Sequence, residues 1–126
     1  MPNIYHQQLL EHAKEPRNKK RLERPTVTSD YSNPSCGDSI VLDLEFDKNK
    51  KLISIGYDME GCAISEASSS LLSEYILEMS YDELLKVNET EFWDLLGVEL
   101  SPTRKKCALI SFNALLGALG KYKSLQ

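Results

Sequence analysis

Two runs of strict alternation, separated by four polar residues, limit what this chain can fold into more than any other feature. In Ser39–Asp47, the apolar residues Ile40, Leu42, Leu44 and Phe46 occupy every second place. In Lys51–Met59, Ile53, Ile55, Tyr57 and Met59 alternate in the same way, with Leu52 on the opposite face. A period of two residues is that of a strand with one buried face. The intervening Asp47-Lys48-Asn49-Lys50 reads as a polar turn, so the two runs form an antiparallel hairpin.

The remaining elements are arranged around that hairpin. Thr26–Tyr31 is rich in β-branched residues and predicts a short strand ahead of it. Residues 3–14 read as a helix, with Ile4, Tyr5, Leu9, Leu10 and Ala13 near helical spacing, Asn3 as its cap and Pro16 as its stop. The run Arg17–Arg24 holds five cations in eight residues and reads as a solvated linker; the alternative is a docking patch for an acidic partner. His6 and His12 are six residues apart, not on one helical face, and read as surface histidines.

After the hairpin, Ile64, Leu71, Leu72, Tyr75, Ile76 and Met79 give a helix an apolar stripe, while Ala67–Ser70 is small enough for close packing on the sheet. Ser80 with Glu83, and Asn88 with Glu91, are capping-box pairs that open helices over 81–87 and 89–96, the second closed by Gly97. Trp93 reads as core or as a groove wall. Ser101-Pro102 starts a last helix running to about Lys121, with Leu109, Phe112, Leu116 and Leu119 inward.

A chain of 126 residues fits one domain, here taken as 1–126, and shows no internal repeat or low-complexity tract. Its net charge of −4 argues against a nucleic-acid binder, whose phosphate contacts need a basic field. No apolar run approaches the ~20 residues of a membrane span, and the N-terminus lacks a secretory pattern, so a cytoplasmic protein is expected. Three cysteines are an odd number, and cytosolic thiols stay reduced, so they serve either packing or chemistry.

Their positions favour chemistry. Cys36 sits in Asn33-Pro34-Ser35-Cys36-Gly37-Asp38, a segment of turn-formers in which Gly37 lets the chain fold tightly and lets thiol and carboxylate face one atom. Cys62 follows the second hairpin strand, and strand end and strand start share one edge, so it should approach Cys36 and Asp38. It also opens a helix, where the dipole favours an anion. Cys107 follows Arg104-Lys105-Lys106, cations that suit a thiolate or an anionic sulfur species. With Asp38 these make four candidate ligands, the number a closed zinc site needs, and the thiolate–carboxylate mix suits zinc or iron better than calcium or magnesium.

Three blocks, Pro34-x-Cys36-Gly37-Asp38, Gly61-Cys62-Ala63-Ile64-Ser65-x-Ala67-Ser68-x-Ser70 and Lys106-Cys107-Ala108, resemble the U-type iron–sulfur cluster assembly proteins. This is the family of IscU, SufU and the N-terminal domain of NifU, and the resemblance covers nearly the whole chain. It implies an α+β, SufE/NifU-like fold: a three-stranded antiparallel sheet packed against helices, with a metal site at one exposed end. It implies a sulfurtransferase-like acceptor or scaffold that takes sulfur from a cysteine desulfurase of the SufS, IscS or NifS kind and serves downstream iron–sulfur assembly or acceptor proteins. The implied cofactor is Zn²⁺ held by Cys36, Asp38, Cys62 and Cys107, the alternative being iron or a transient [2Fe–2S] cluster on the same residues. A purely structural zinc domain is the third reading. Cys36, on its turn, is the expected sulfur acceptor and Cys107 the alternative. Lys106 stands where IscU-type proteins have His, and Leu100-Ser101-Pro102-Thr103-Arg104 replaces their chaperone-binding Leu-Pro-Pro-Val-Lys. Both features look like SufU, although most of the insertion that SufU carries before the last helix is missing.

Overall fold

The alternating runs form the centre and one edge of a three-stranded antiparallel sheet of order β1-β2-β3. The computed structural model describes residues 4–34 and 37–126, with side chains from residue 7 onward, so the expected Asn3 cap and the side chains of Ile4, Tyr5 and His6 lie outside it. The elements are α1 (Ile4–Lys14), β1 (Val27–Asn33), β2 (Asp38–Phe46), β3 (Leu52–Glu60), α2 (Ala63–Ile76), α3 (Tyr81–Lys86), α4 (Glu89–Leu96), α5 (Pro102–Ala108) and α6 (Ile110–Leu125).

One face of the sheet is the core. Ile40, Leu42, Leu44 and Phe46 of β2 are buried with Ile55, Tyr57 and Met59 of β3, against Leu71, Leu72 and Ile76 of α2 and Ala114, Leu115, Ala118 and Leu119 of α6. The alternation of β3 breaks at its start. Leu52 pairs with Phe46 but Ser54 pairs with Glu45, so Ile53 is an extra residue opposite the β2 end. A bulge reverses the parity of a strand: Leu52 is buried and Ile53, expected inside, is exposed. At this end Phe46 stacks on Tyr122 with ring centroids 4.0 Å apart, and Tyr81 meets Tyr122 edge-on.

The other face carries a covering that departs from expectation. Thr28, Asp43 and Gly56 form one row across the three strands. Asp43 is fully buried and accepts from Arg21 Nε at 2.7 Å, Arg21 Nη2 at 3.2 Å, the Leu22 amide at 3.0 Å and Thr28 Oγ1 at 2.6 Å. Burial alone would raise its pKa, but these bonds outweigh it and hold the carboxyl below the ordinary aspartate range. Residues 17–22 are therefore a strap tied to the sheet and to α2, although Lys19, Lys20, Arg21 and Arg24 remain exposed as a solvated run would be. A Cβ on Gly56 would come within 3.0 Å of the Lys20 carbonyl oxygen, so only glycine admits the strap. Asn18 O accepts from the Tyr57 amide at 3.2 Å, partly covering the free edge of β3.

His12, expected at the surface, is only 6% exposed. Its Nδ1 lies 2.6 Å from Ser70 Oγ and its Nε2 3.4 Å from Glu74 Oε1, while the Arg17 amide donates to the same Ser70 oxygen at 2.7 Å. The serines of α2 are the reason. Ser65, Ser68, Ser69, Ser70 and Ser73 are all buried, and they bind α1 and the strap as well as their own helix carbonyls. Asn18 Nδ2 donates to Ser73 Oγ at 3.0 Å, and Lys19 pairs with Glu66.

The cap signals form where expected, with the Asn88–Glu91 pair a one-sided cap in place of the expected full box. Ser80 and Glu83 make both halves of a capping box, Asn88 accepts from the Glu91 amide, Gly97 ends α4 in the left-handed region (φ 65°), and Ser101 accepts from the Arg104 amide with Pro102 behind it. The expected single last helix turns at Leu109 (ψ −7°), which separates α5 from α6. Leu116, expected inside, is exposed; Leu115 takes its place, because the face with Ala114, Ala118 and Tyr122 meets the sheet.

Candidate metal centre

The end of the sheet opposite the aromatic cluster gathers the ligand-type residues. Asn33 and Asp38 are partners across the β1–β2 connection, and the Gly37 amide donates to Asn33 O at 2.9 Å. Gly37 has φ +73°, a conformation that costs glycine little and other residues more. Asp38 thus opens β2 with its side chain buried. Ser39 pairs with Glu60 at the end of β3, which delivers Gly61 and Cys62 to the same edge.

Cys62 is the N-cap of α2 with extended backbone angles, and its side chain makes no capping hydrogen bond. Its sulfur is half-buried at the positive end of a fourteen-residue helix. Cys107 lies buried in the last turn of α5, while Arg104, Lys105 and Lys106 on the same short helix are exposed. Lys105 Nζ sits 5.9 Å from the centroid of the half-buried Trp93 ring, which lines a surface cleft with Val98, Glu99 and Leu100.

Among the described residues, Asp38, Cys62 and Cys107 each offer one ligand atom, and these atoms all lie within 4.8 Å of one another. Bonds of about 2.0–2.3 Å to a tetrahedral ion would set its donors about 3.3–3.8 Å apart. The three donors therefore need to close by about 1.5 Å at most, and one carboxylate with two thiols is a donor set that zinc and iron both accept. Cys36 lies outside the described residues.

One neighbour of this group has no role in the sequence reading. Ser65 is fully buried, and its hydroxyl lies 2.9 Å from Asp38 Oδ2, 3.0 Å from the Cys62 carbonyl oxygen and 3.6 Å from Cys62 Sγ. Gly61 makes room for it, since a Cβ there would come within 3.0 Å of Ser65 Oγ and 3.1 Å of the Asp38 carboxylate. The spacing from Cys62 to Ser65, an N-cap and its third helical residue, was a signal in the sequence; what it points at was not.

The sequence matches the model of the NifU-like N-terminal domain over residues 4–126. It is 32% identical to the iron–sulfur cluster assembly enzyme IscU of Drosophila melanogaster over 126 aligned residues, covering 98% of this chain and 80% of that protein. It is also 32% identical to the zinc-dependent sulfurtransferase SufU of Bacillus subtilis, covering 96% of this chain and 92% of that protein. That second alignment runs over 140 positions against the 126 residues of this chain, so SufU carries residues that this chain lacks. A crystal structure of a putative iron–sulfur cluster assembly scaffold protein for the SUF system, from Fervidobacterium islandicum, has the same fold. The match has a TM-score of 0.74 at 25% identity, over 89% of this chain and 93% of that one.

Proposed function

The chain belongs to the family of NifU-like N-terminal domains, and we propose that this iron–sulfur cluster assembly protein accepts sulfur from a cysteine desulfurase in a zinc-dependent transfer. The observation that carries the reading is the convergence of Asp38, Cys62 and Cys107 from a strand start, a helix cap and a helix end. Cys36 joins them as the fourth ligand, being two residues from Asp38, a span of at most about 7 Å between Cα atoms. When bound, zinc keeps the thiols deprotonated and in register without redox chemistry.

Transfer runs through thiolate exchange. The thiolate of Cys36 attacks the outer sulfur of the desulfurase persulfide and forms a new S–S bond. The old S–S bond breaks, and the desulfurase cysteine leaves as its thiolate. No external oxidant or reductant enters, and Cys36 now carries the persulfide. Cys107 is the alternative acceptor, its sulfur close to Cys62 and its helix lined by Arg104, Lys105 and Lys106, which favour an anionic sulfur. The setting of this reaction is the cytoplasm, where thiols stay reduced.

A second reading uses the same residues to build a transient [2Fe–2S] cluster, with Asp38 as its labile oxygen ligand. The similarity to IscU along 98% of the chain supports it. One set of measurements separates the two. Freshly purified protein is expected to hold one zinc per chain, to raise alanine formation by a desulfurase, and to carry added sulfur on Cys36 by mass spectrometry. Cys36→Ser should abolish the stimulation while the fold remains. Unchanged desulfurase turnover, with a coloured species on anaerobic reconstitution with iron and sulfide, would overturn the transfer reading in favour of the scaffold.

A further inference from the structure

We infer that Ser65 is the positioning residue for Asp38, fixing which carboxylate oxygen faces the metal; this rests on the reading of Asp38 as a ligand. Ser65 Oγ lies 2.9 Å from Oδ2, and neither side chain has room to swing away, since Ser65 is fully buried and Asp38 nearly so. A ligating carboxylate accepts hydrogen bonds and donates none, so the proton in this contact is the serine's. With Oδ2 held, Oδ1 remains as the oxygen to offer to an ion beside the two sulfurs.

The contact is built from several directions. Gly61 gives up its side chain so that Ser65 Oγ can sit beside the carboxylate. The helix start at Cys62 fixes Ser65 within its first turn, and the pairing of Asn33 with Asp38 fixes the backbone on the other side. The hydroxyl also has other acceptors within reach, the Cys62 carbonyl at 3.0 Å and Cys62 Sγ at 3.6 Å. One proton serves one strong acceptor at a time. The carboxylate is the one charged acceptor of the three, so it takes the proton, and the serine acts on the metal through Asp38. Outer partners of metal ligands act in this way and typically change metal affinity by about 10–100-fold.

The test is zinc affinity, by competition with a chromophoric chelator, for wild type, Ser65→Ala, Asp38→Ala and the double variant. A visible spectrum of each with cobalt(II) in place of zinc accompanies it. Ser65→Ala is expected to weaken zinc about 10–100-fold and to move the cobalt bands toward those of Asp38→Ala. In the Asp38→Ala background the same change should have no further effect. Two results would overturn the inference: a Ser65→Ala cobalt spectrum identical to wild type, or an equal loss of affinity in both backgrounds, which a serine that merely packs the helix start would give. Wild type that binds neither zinc nor cobalt would instead remove the metal reading beneath it.

Discussion

Replacing Asp43 by Asn tests the strap, because the exchange keeps the volume and removes the charge. Each of the four contacts to this carboxylate comes from a donor: Arg21 Nε and the Leu22 amide on Oδ2, Arg21 Nη2 and Thr28 Oγ1 on Oδ1. Asparagine has one oxygen and one NH₂, so one pair of donors must face another donor. The Thr28 hydroxyl can turn and accept, which leaves Arg21 Nη2 opposed. A hydrogen bond to a charged group is worth about 1.5–3 kcal/mol, and the bonds that survive become neutral acceptors. Asp43→Asn should therefore cost about 2–4 kcal/mol at neutral pH. The pH dependence follows from the sign of the shift. Folding holds this carboxyl below its ordinary value of 3.8, so its contribution is complete above that value and is lost as pH falls through the lowered one. Urea unfolding followed by circular dichroism, at pH 7 and then stepwise to pH 3, should show a large gap between wild type and variant that narrows at the acid end. Equal midpoints at pH 7, or a gap that stays constant to pH 3, would refute the account of Asp43 as a buried anion holding the strap.

Two further outcomes follow from the same covering. Gly56→Ala drives a methyl group into the Lys20 carbonyl and to 3.1 Å from Leu22 Cδ2, so it should cost about 1–3 kcal/mol and lift the strap. Limited trypsin digestion should then cut within 17–22, where wild type resists; equal resistance would count against it. His12 is held below its ordinary 6.5 by burial first and by Arg17 next, with Glu74 and Glu11 pulling the other way. A lowered folded value means that its contribution to stability is present above pH 6.5 and is lost as pH falls through the lowered one. The melting temperature should drop from pH 7 to pH 5, and His12→Gln should flatten that slope; an unchanged slope would place the titration elsewhere.

The hairpin, the helices and their caps could be read from the chain because each is written in local pattern. Alternation gave both strands, and Ser80, Asn88, Gly97 and Ser101 each fixed a helix boundary with its own side chain or backbone angle. What pattern could not give was parity after a bulge. Nothing in Leu52-Ile53-Ser54-Ile55 says which of the two first apolar residues faces in; that is set by Leu52 pairing with Phe46. Likewise Leu115 and Leu116 are equally apolar, and the choice between them was made by the neighbouring Ala114, Ala118 and Tyr122 at the sheet. The cationic run looked like a free linker because a buried counter-charge, Asp43, alternates outward on a strand and reads as a solvent-facing residue.

The candidate site shows the same division at shorter range. Thiols and a carboxylate are few and chemically marked, so Asp38, Cys62 and Cys107 stand out, and hairpin topology alone brings Asp38 and Cys62 to one edge. Serines are common and neutral, and five on one helix look like small packing residues. Their polarity matters only once partners arrive from distant parts of the chain: Asp38 for Ser65, His12 and Arg17 for Ser70, Asn18 for Ser73. Buried hydroxyls need such partners, because an unpaired one costs about 1–3 kcal/mol. That requirement orders α1, the strap and the candidate-site end of the sheet against a single helix. Ser65 and Ser70 lie five residues apart on α2, one against Asp38 and the other against His12. A change that unseats α1 or the strap therefore acts on the same helix that positions Cys62 and Ser65, and metal affinity in Gly56→Ala is the place to look for that coupling.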